Sequence, residues 1–183
     1  SCGINSAMAW DSFKVDAIKY KGLHALQPQI FDSSVNIKPG EMITEDKSNQ
    51  LIASLFNTGY FQDVSLHRKG NTLVIDVVEQ PTVAKIELKG NELIKTKNLQ
   101  QVFTSMGLVV GSSISPVLLK NIKLSLMQEY YQQGKFAVRI NITQQKLPRN
   151  RVSLVVNISE GMFAKVKSIH IVGNHKFTEK KII

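Results

Sequence analysis

The side chains of this 183-residue chain that are able to do chemistry are few and scattered. Of the four histidines (His24, His67, His170 and His175), none has metal-ligand company nearby. His170 and His175 stand closest, but Gly173 and Asn174 lie between them, so one falls on a strand and the other in a turn. Glu45 and Asp46 are adjacent acids, yet they follow Thr44 at the start of an apolar-periodic stretch, where a helix N-terminus favours negative charge. Gly107 and Gly111 bracket Val109-Val110 without the lysine of a phosphate cradle. A single cysteine, Cys2, excludes an internal disulfide framework and any multi-cysteine zinc site. No nucleophile elbow and no dinucleotide fingerprint occurs. The expectation is a protein that is not an enzyme and uses no metal or cofactor.

Charge narrows the partner classes. Net charge is −2 over residues 11–80, +7 over 81–161 and +4 over 162–183. Lys146, Arg149 and Arg151 cluster, followed by Lys165, Lys167, Lys176, Lys180 and Lys181. A nucleic-acid surface interleaves such charges with exposed aromatics. Here Tyr130, Tyr131 and Phe136 fall at core-facing or helix-end positions, so acidic or lipid partners, or a merely solvated basic face, fit better than nucleic acid. A hydrophobic content of 43% argues for a globular chain, and no run approaches the roughly 18 apolar residues of a spanning helix.

The chain nearly repeats itself. VDAIKYKG at 15–22, VAKIELKGN at 83–91 and VKSIHIVGN at 166–174 share an apolar start, a central isoleucine and a closing glycine. Gly22 and Gly90 stand 68 positions apart, Gly90 and Gly173 83 apart. A second landmark, NTGYFQDV at 57–64, answers QQGKFAVR at 132–139. Two full modules and the opening of a third are implied, and the natural protein is expected to continue past Ile183.

Within a module the pattern reads β-α-α-β-β. The first strand alternates through Ile18 and Tyr20, Ile86 and Leu88, Ile169 and Ile171. A first helix is predicted over 24–34 and over 95–106, the latter with Leu99, Val102, Phe103 and Met106 on one face and Gly107 as its cap. Thr44 starts a second helix with Leu51, Ile52, Leu55 and Phe56 inward, ending at Gly59. Ser115-Pro116 starts its counterpart, with Leu119, Ile122, Leu126 and Tyr130 inward and Gly134 at the end. Hairpins follow at 61–79, turning near Gly70-Asn71, and at 136–158, turning around Pro148 and Asn150. The fold class is α+β: tandem modules, each with two helices on a three-stranded mixed sheet. The two-helix crossover makes first and third strands parallel, and the order first–third–second leaves the second strand on the edge. The expected domains are a disordered or extraneous tail over 1–11, modules over 12–80 and 81–161, and a truncated third over 162–183.

The I-x-x-x-GN string, the G-Y/K-F landmark and the E-x-P and EG junctions resemble POTRA domains. More closely, LPRNRVSLVVNISEG at 147–161, VKSIHIVGNHKFTEKKI at 166–182 and FNTGYFQDV at 56–64 are similar to the modules of the outer-membrane protein assembly factors of Gram-negative bacteria. The resemblance implies a periplasmic tandem scaffold on a membrane barrel that this chain lacks, itself a monomer without cofactor. Its implied partners are unfolded outer-membrane proteins, a periplasmic chaperone and assembly lipoproteins. A two-partner secretion transporter or a translocation-assembly factor shares the fold with other clients; a division protein carries a single such module.

The expected binding site is the edge strand of the second module, with Phe136, Val138, Ile140 and Ile142 inward and Ala137, Arg139, Asn141 and Thr143 outward. An edge strand free of proline can accept a visiting chain as a further strand. The alternative is an edge kept from self-pairing by Arg139 and nothing more. Two measurements test this reading. After chelation and dialysis the chain should stay folded without stoichiometric zinc. Gly90, expected at positive φ like Gly173, should cost about 1–3 kcal/mol when replaced by valine.

Overall fold

Two three-stranded sheets follow one another along the chain, each backed by its own helices. The computed structural model describes residues 11–161. The first module contains β1 (Phe13–Lys14), β2 (Ala17–Lys21), a turn of 3-10 helix over Pro28–Phe31, β3 (Met42–Ile43), α1 (Glu45–Asn57), β4 (Phe61–Lys69) and β5 (Thr72–Glu79). The second contains β6 (Thr82–Lys89), α2 (Thr96–Ser105), α3 (Pro116–Gln132), β7 (Arg139–Leu147) and β8 (Arg151–Ser159). The sheet orders are β2-β5-β4 and β6-β8-β7, with β1 and β3 forming a small separate pair. In both sheets the first strand pairs parallel and the second antiparallel to the central third strand.

The central strands carry the cores. Leu73, Ile75 and Val77 of β5, and Val152, Leu154, Val156 and Ile158 of β8, point under the helices and are buried. Side chains of this size contribute about 1.5–3 kcal/mol each on full burial. Leu51, Leu55, Phe31 and Phe61 close the first core; Leu99, Phe103, Ile122, Leu126 and Tyr130 close the second.

Helix starts follow the sequence. Thr44 Oγ1 accepts the Lys47 N–H at 3.2 Å, and Ser115 Oγ accepts that of Leu118 at 3.1 Å. The buried face of α1 is narrower than expected. Leu51 and Leu55 are fully buried and Ile52 packs against the core, but Phe56 is 44% exposed. One residue past Leu55, it is rotated by about 100° from the core direction.

The helix expected over 24–34 does not form. The N–H groups of His24, Ala25 and Leu26 donate to the carboxylate of Glu79, a capping contact that a helix start would also allow, so the break comes after them. Gln27, ahead of Pro28, is extended at φ −91° and ψ 141°, the conformation that a following proline favours. Only the 3-10 turn remains, and it delivers Phe31 into the core.

A further repeat precedes the second helix of each module. Val15 donates to the Glu41 carbonyl and accepts from the Gly40 N–H, at 2.9 and 2.7 Å. Val83 does the same with Ser112 and Gly111, at 2.9 and 2.7 Å. The segments 37–44 and 108–115 therefore cover the start of the first strand in each module, and Ile43 and Ile114 are buried beneath them.

Gly22 and Gly90 are equivalent, at φ +96° and +86°, while Gly173 lies outside the described residues. Beyond the backbone angle, a Cβ would sit 2.0 Å from the Val77 carbonyl oxygen at Gly22 and 1.9 Å from that of Ile158 at Gly90. First and third strands approach too closely there for any side chain. Gly90→Val should therefore destabilise the second module by about 3 kcal/mol or more, above the cost of strain alone. Urea unfolding monitored through that module checks it. Tyr130 provides a second test. Its hydroxyl is buried without a hydrogen-bond partner of standard geometry among the described residues. Burial, and then the Glu160 carboxylate, hold its phenol well above the usual range. The folded state thus favours the neutral phenol, and stability should decline as pH rises past about 10, where unfolded tyrosine ionises. Tyr130→Phe should remove part of that decline between pH 7 and 11 in the same unfolding measurement.

Candidate functional site

β7 is the open edge that the alternation predicted, but its limits differ. The strand runs from Arg139 to Leu147, and the residues before it form a turn. Val138 and Ile140 are buried and Ile142 packs against the core, whereas Phe136 is 75% exposed. Phe136, Ala137 and Val138 therefore precede the edge strand, while Arg139, Ile140, Asn141, Ile142 and Thr143 belong to it.

The cause is an insertion hidden by a likeness of letters. In the first module Phe61, two residues after Gly59, is buried opposite Glu79. In the second, the first buried apolar residue ahead of the paired strand is Val138, four residues after Gly134. Val138, not Phe136, matches Phe61. The two extra residues lift Phe136 out to stack on Tyr131, with ring centroids 6.0 Å apart.

The available edges are not equivalent. β4 pairs with β5 through an irregularity between Phe61 and Asp63 and carries Asp63, Arg68 and Lys69. Bulges and charges of this kind protect an edge against added strands. β7 pairs with β8 without a break from Arg139 to Leu147, and its only charges are Arg139 and Lys146. On the opposite side of each sheet, the loops 37–44 and 108–115 already engage the start of the first strand.

A repeated carboxylate holds the end of each sheet away from these edges. Glu79 Oε1 accepts from the His24 and Leu26 N–H groups, at 2.9 and 3.1 Å, and Oε2 accepts from Ala25 at 3.1 Å. Glu160 accepts from Glu92 and Leu93 in the corresponding loop, at 2.9–3.1 Å. The acid ending the third strand therefore fixes the loop leaving the first. Glu79 is buried, and the Glu160 bonds are more exposed. No motif in the sequence reading found this pair; the E-x-P and EG junctions were its only trace.

No catalytic constellation assembles among the described residues, and none of their His, Cys, Asp and Glu side chains gather in threes about a metal position. Ser65, His67 and Asp76 meet on the outer face of the first sheet. His67 Nε2 faces both Ser65 Oγ, at 3.3 Å, and Asp76 Oδ2, at 3.6 Å. A relay needs the two ring nitrogens separately, so this is a surface polar contact and not a catalytic one. His170, His175 and the lysines from Lys165 onward lie outside the described residues.

Two consecutive α+β modules, each displaying the edge of a three-stranded mixed sheet, place the chain among proteins built as tandem strand-presenting modules. The chain belongs to the POTRA family, whose profile, described as surface antigen variable number repeat, matches residues 13–80 and 81–161. It is similar to outer membrane protein assembly factor BamA of Neisseria meningitidis, 27% identical over 97% of this chain and 22% of that protein. It also resembles BamA of Buchnera aphidicola, 26% identical over 96% of this chain and 28% of that one. The chain thus spans less than a third of these relatives. In structure it resembles the N-terminal domain of Omp85 from Thermosynechococcus elongatus, with a TM-score of 0.61, 16% identity and coverage of 83% of this chain and 64% of that one. POTRA1-2 of Omp85 from Anabaena aligns with a TM-score of 0.52 at 17% identity, over 82% of this chain and 97% of that one. At such identities the likeness establishes the fold.

The carboxylate clamp yields a stability test. Glu79→Ala should destabilise the first module by about 2–3 kcal/mol, since it leaves three amides without their charged acceptor. Glu160→Ala, at the wetter position, should cost about 1 kcal/mol. Amide exchange at residues 24–26 and 92–93 should rise in the respective variants.

Proposed function

We propose that this chain is the receiving part of a periplasmic scaffold in the outer-membrane protein assembly machinery of a Gram-negative bacterium. On this reading it binds extended segments of unfolded outer-membrane proteins by strand addition at β7, docks a chaperone and assembly lipoproteins elsewhere, and catalyses nothing. The BamA relatives support the assembly role. The observation that carries the site is the contrast between edges of equal length: β7 pairs without a break and carries charge only at Arg139 and Lys146, whereas β4 is irregular between Phe61 and Asp63 and carries Asp63, Arg68 and Lys69. Backbone pairing recognises an extended chain without demanding one side-chain sequence, which suits many clients. Each client is ordered on binding, so affinity per contact is low.

Proline scanning tests the assignment. Asn141 and Gln144 have opposite parity, so one amide faces β8 and the other faces solvent. Proline at the inward amide should weaken the β7–β8 ladder. Proline at the outward one should leave the fold intact and abolish the amide shifts that an extended outer-membrane-protein peptide induces along β7. Undiminished shifts in both variants, or shifts confined to α2 and α3, would remove β7 as the binding edge.

A further inference from the structure

The turn that closes the β7–β8 hairpin reaches across to the linker between the modules. Asn150 Nδ2 donates to the carbonyls of Glu79 and Gln80, at 3.2 and 3.3 Å, and its own carbonyl accepts from the Thr82 N–H at 3.1 Å. Beside these bonds lies a cavity of about 410 Å³, lined among others by His24, Glu79, Thr82, Arg149 and Asn150. That volume falls within the roughly 300–1,000 Å³ of pockets that hold small ligands.

Arg149 is an exposed residue of the turn between β7 and β8. It sits at φ +63° and Asn150 at +51°, the left-handed backbone that a tight hairpin turn calls for. Arg149 is among the residues that line the cavity, and its guanidinium makes no hydrogen bond or ion pair with any described residue. His24, also exposed, is a second residue of the lining, and its ring makes no hydrogen bond with a described residue. The carboxylate of Glu79 is already held by three backbone N–H groups. The positive charge of Arg149 is thus available to an anionic group that enters the cavity.

We propose that this cavity recognises an acidic side chain of a bound polypeptide, with Arg149 taking the carboxylate and the His24 ring as a second donor. An arginine fork matches a carboxylate through two parallel hydrogen bonds. The net charge of +7 over residues 81–161 draws acidic segments toward it. A singly charged carboxylate fits better than a phosphate, because Glu79 shares the cavity and repels a dianion more strongly. The assignment rests on the reading that the chain receives polypeptides, and it adds a preference that backbone pairing alone does not supply.

The test is an amide titration of the whole chain with two synthetic extended peptides of about nine residues, identical except for a central Glu or Gln. The Glu peptide should shift the amides of Ala25, Thr82, Arg149 and Asn150 and bind about tenfold tighter. That preference should vanish in Arg149→Gly. Glycine is at ease at this φ, so the variant should keep or gain thermal stability, which separates recognition from a structural role. Equal affinity for the two peptides, a preference that survives Arg149→Gly, or tighter binding of inorganic phosphate than of the Glu peptide would overturn the proposal. Shifts along β7 alone would overturn the cavity and leave the edge reading standing. Cavity shifts beside a silent β7 would overturn that edge and keep the cavity.

Discussion

Both sheets depend on a third strand that is hydrogen-bonded on either side, parallel to the first strand and antiparallel to the second. Such a strand gives up water along its whole backbone and has to bury one full row of side chains, as β5 and β8 do. The close approach at Gly22 and Gly90 and the carboxylates of Glu79 and Glu160 act at the same end of this strand. Together they bind the loop leaving the first strand to the end of the third. The helices lie over that frame and are tolerant of variation: the first helical position shrinks to a 3-10 turn in one module and is a full helix in the other.

Placing the third strand centrally also leaves the second strand on the outside. An edge is then unavoidable in each module, and the modules treat it differently. β4 is irregular and charged, which discourages pairing, while β7 keeps an unbroken register. The same module carries two extra residues ahead of the strand and a helix α3 of 17 residues against 13 in α1. Its exposed Tyr131–Phe136 stack follows from both changes.

The junction is short and bonded rather than a free tether. Gln80 donates its N–H to Tyr60 and its side-chain amide to Phe61, and Asn150 grips the carbonyls of Glu79 and Gln80 from the other module. Because Glu79 also holds loop 24–26, hydrogen bonds run from the first loop of one module to the last turn of the next. The cavity with Arg149 lies along that path.

Much of this was legible in the residues themselves. Module order, strand order, helix caps at Thr44 and Ser115, and the glycines at positive φ follow from local periodicity and backbone preference, which act over a few residues and leave a direct mark. The failures have other origins. The helix over 24–34 was lost at Gln27, which Pro28 keeps extended, while a carboxylate 53 to 55 residues away fixes the amides ahead of it as a loop. Phe136 carries the letters of Phe61 but not its place, because register in a sheet is decided by which residue meets the central strand. The end of β7 at Leu147, the cover that loops 37–44 and 108–115 give the first strands, and the cavity at the junction all join residues distant in sequence. By itself the sequence determined most of the elements, their order and which strand lies on the edge; only the tertiary structure decided where that edge strand begins and ends and what surrounds it, since long-range hydrogen bonds and the close packing of the central strand select one register among several that the local pattern allows.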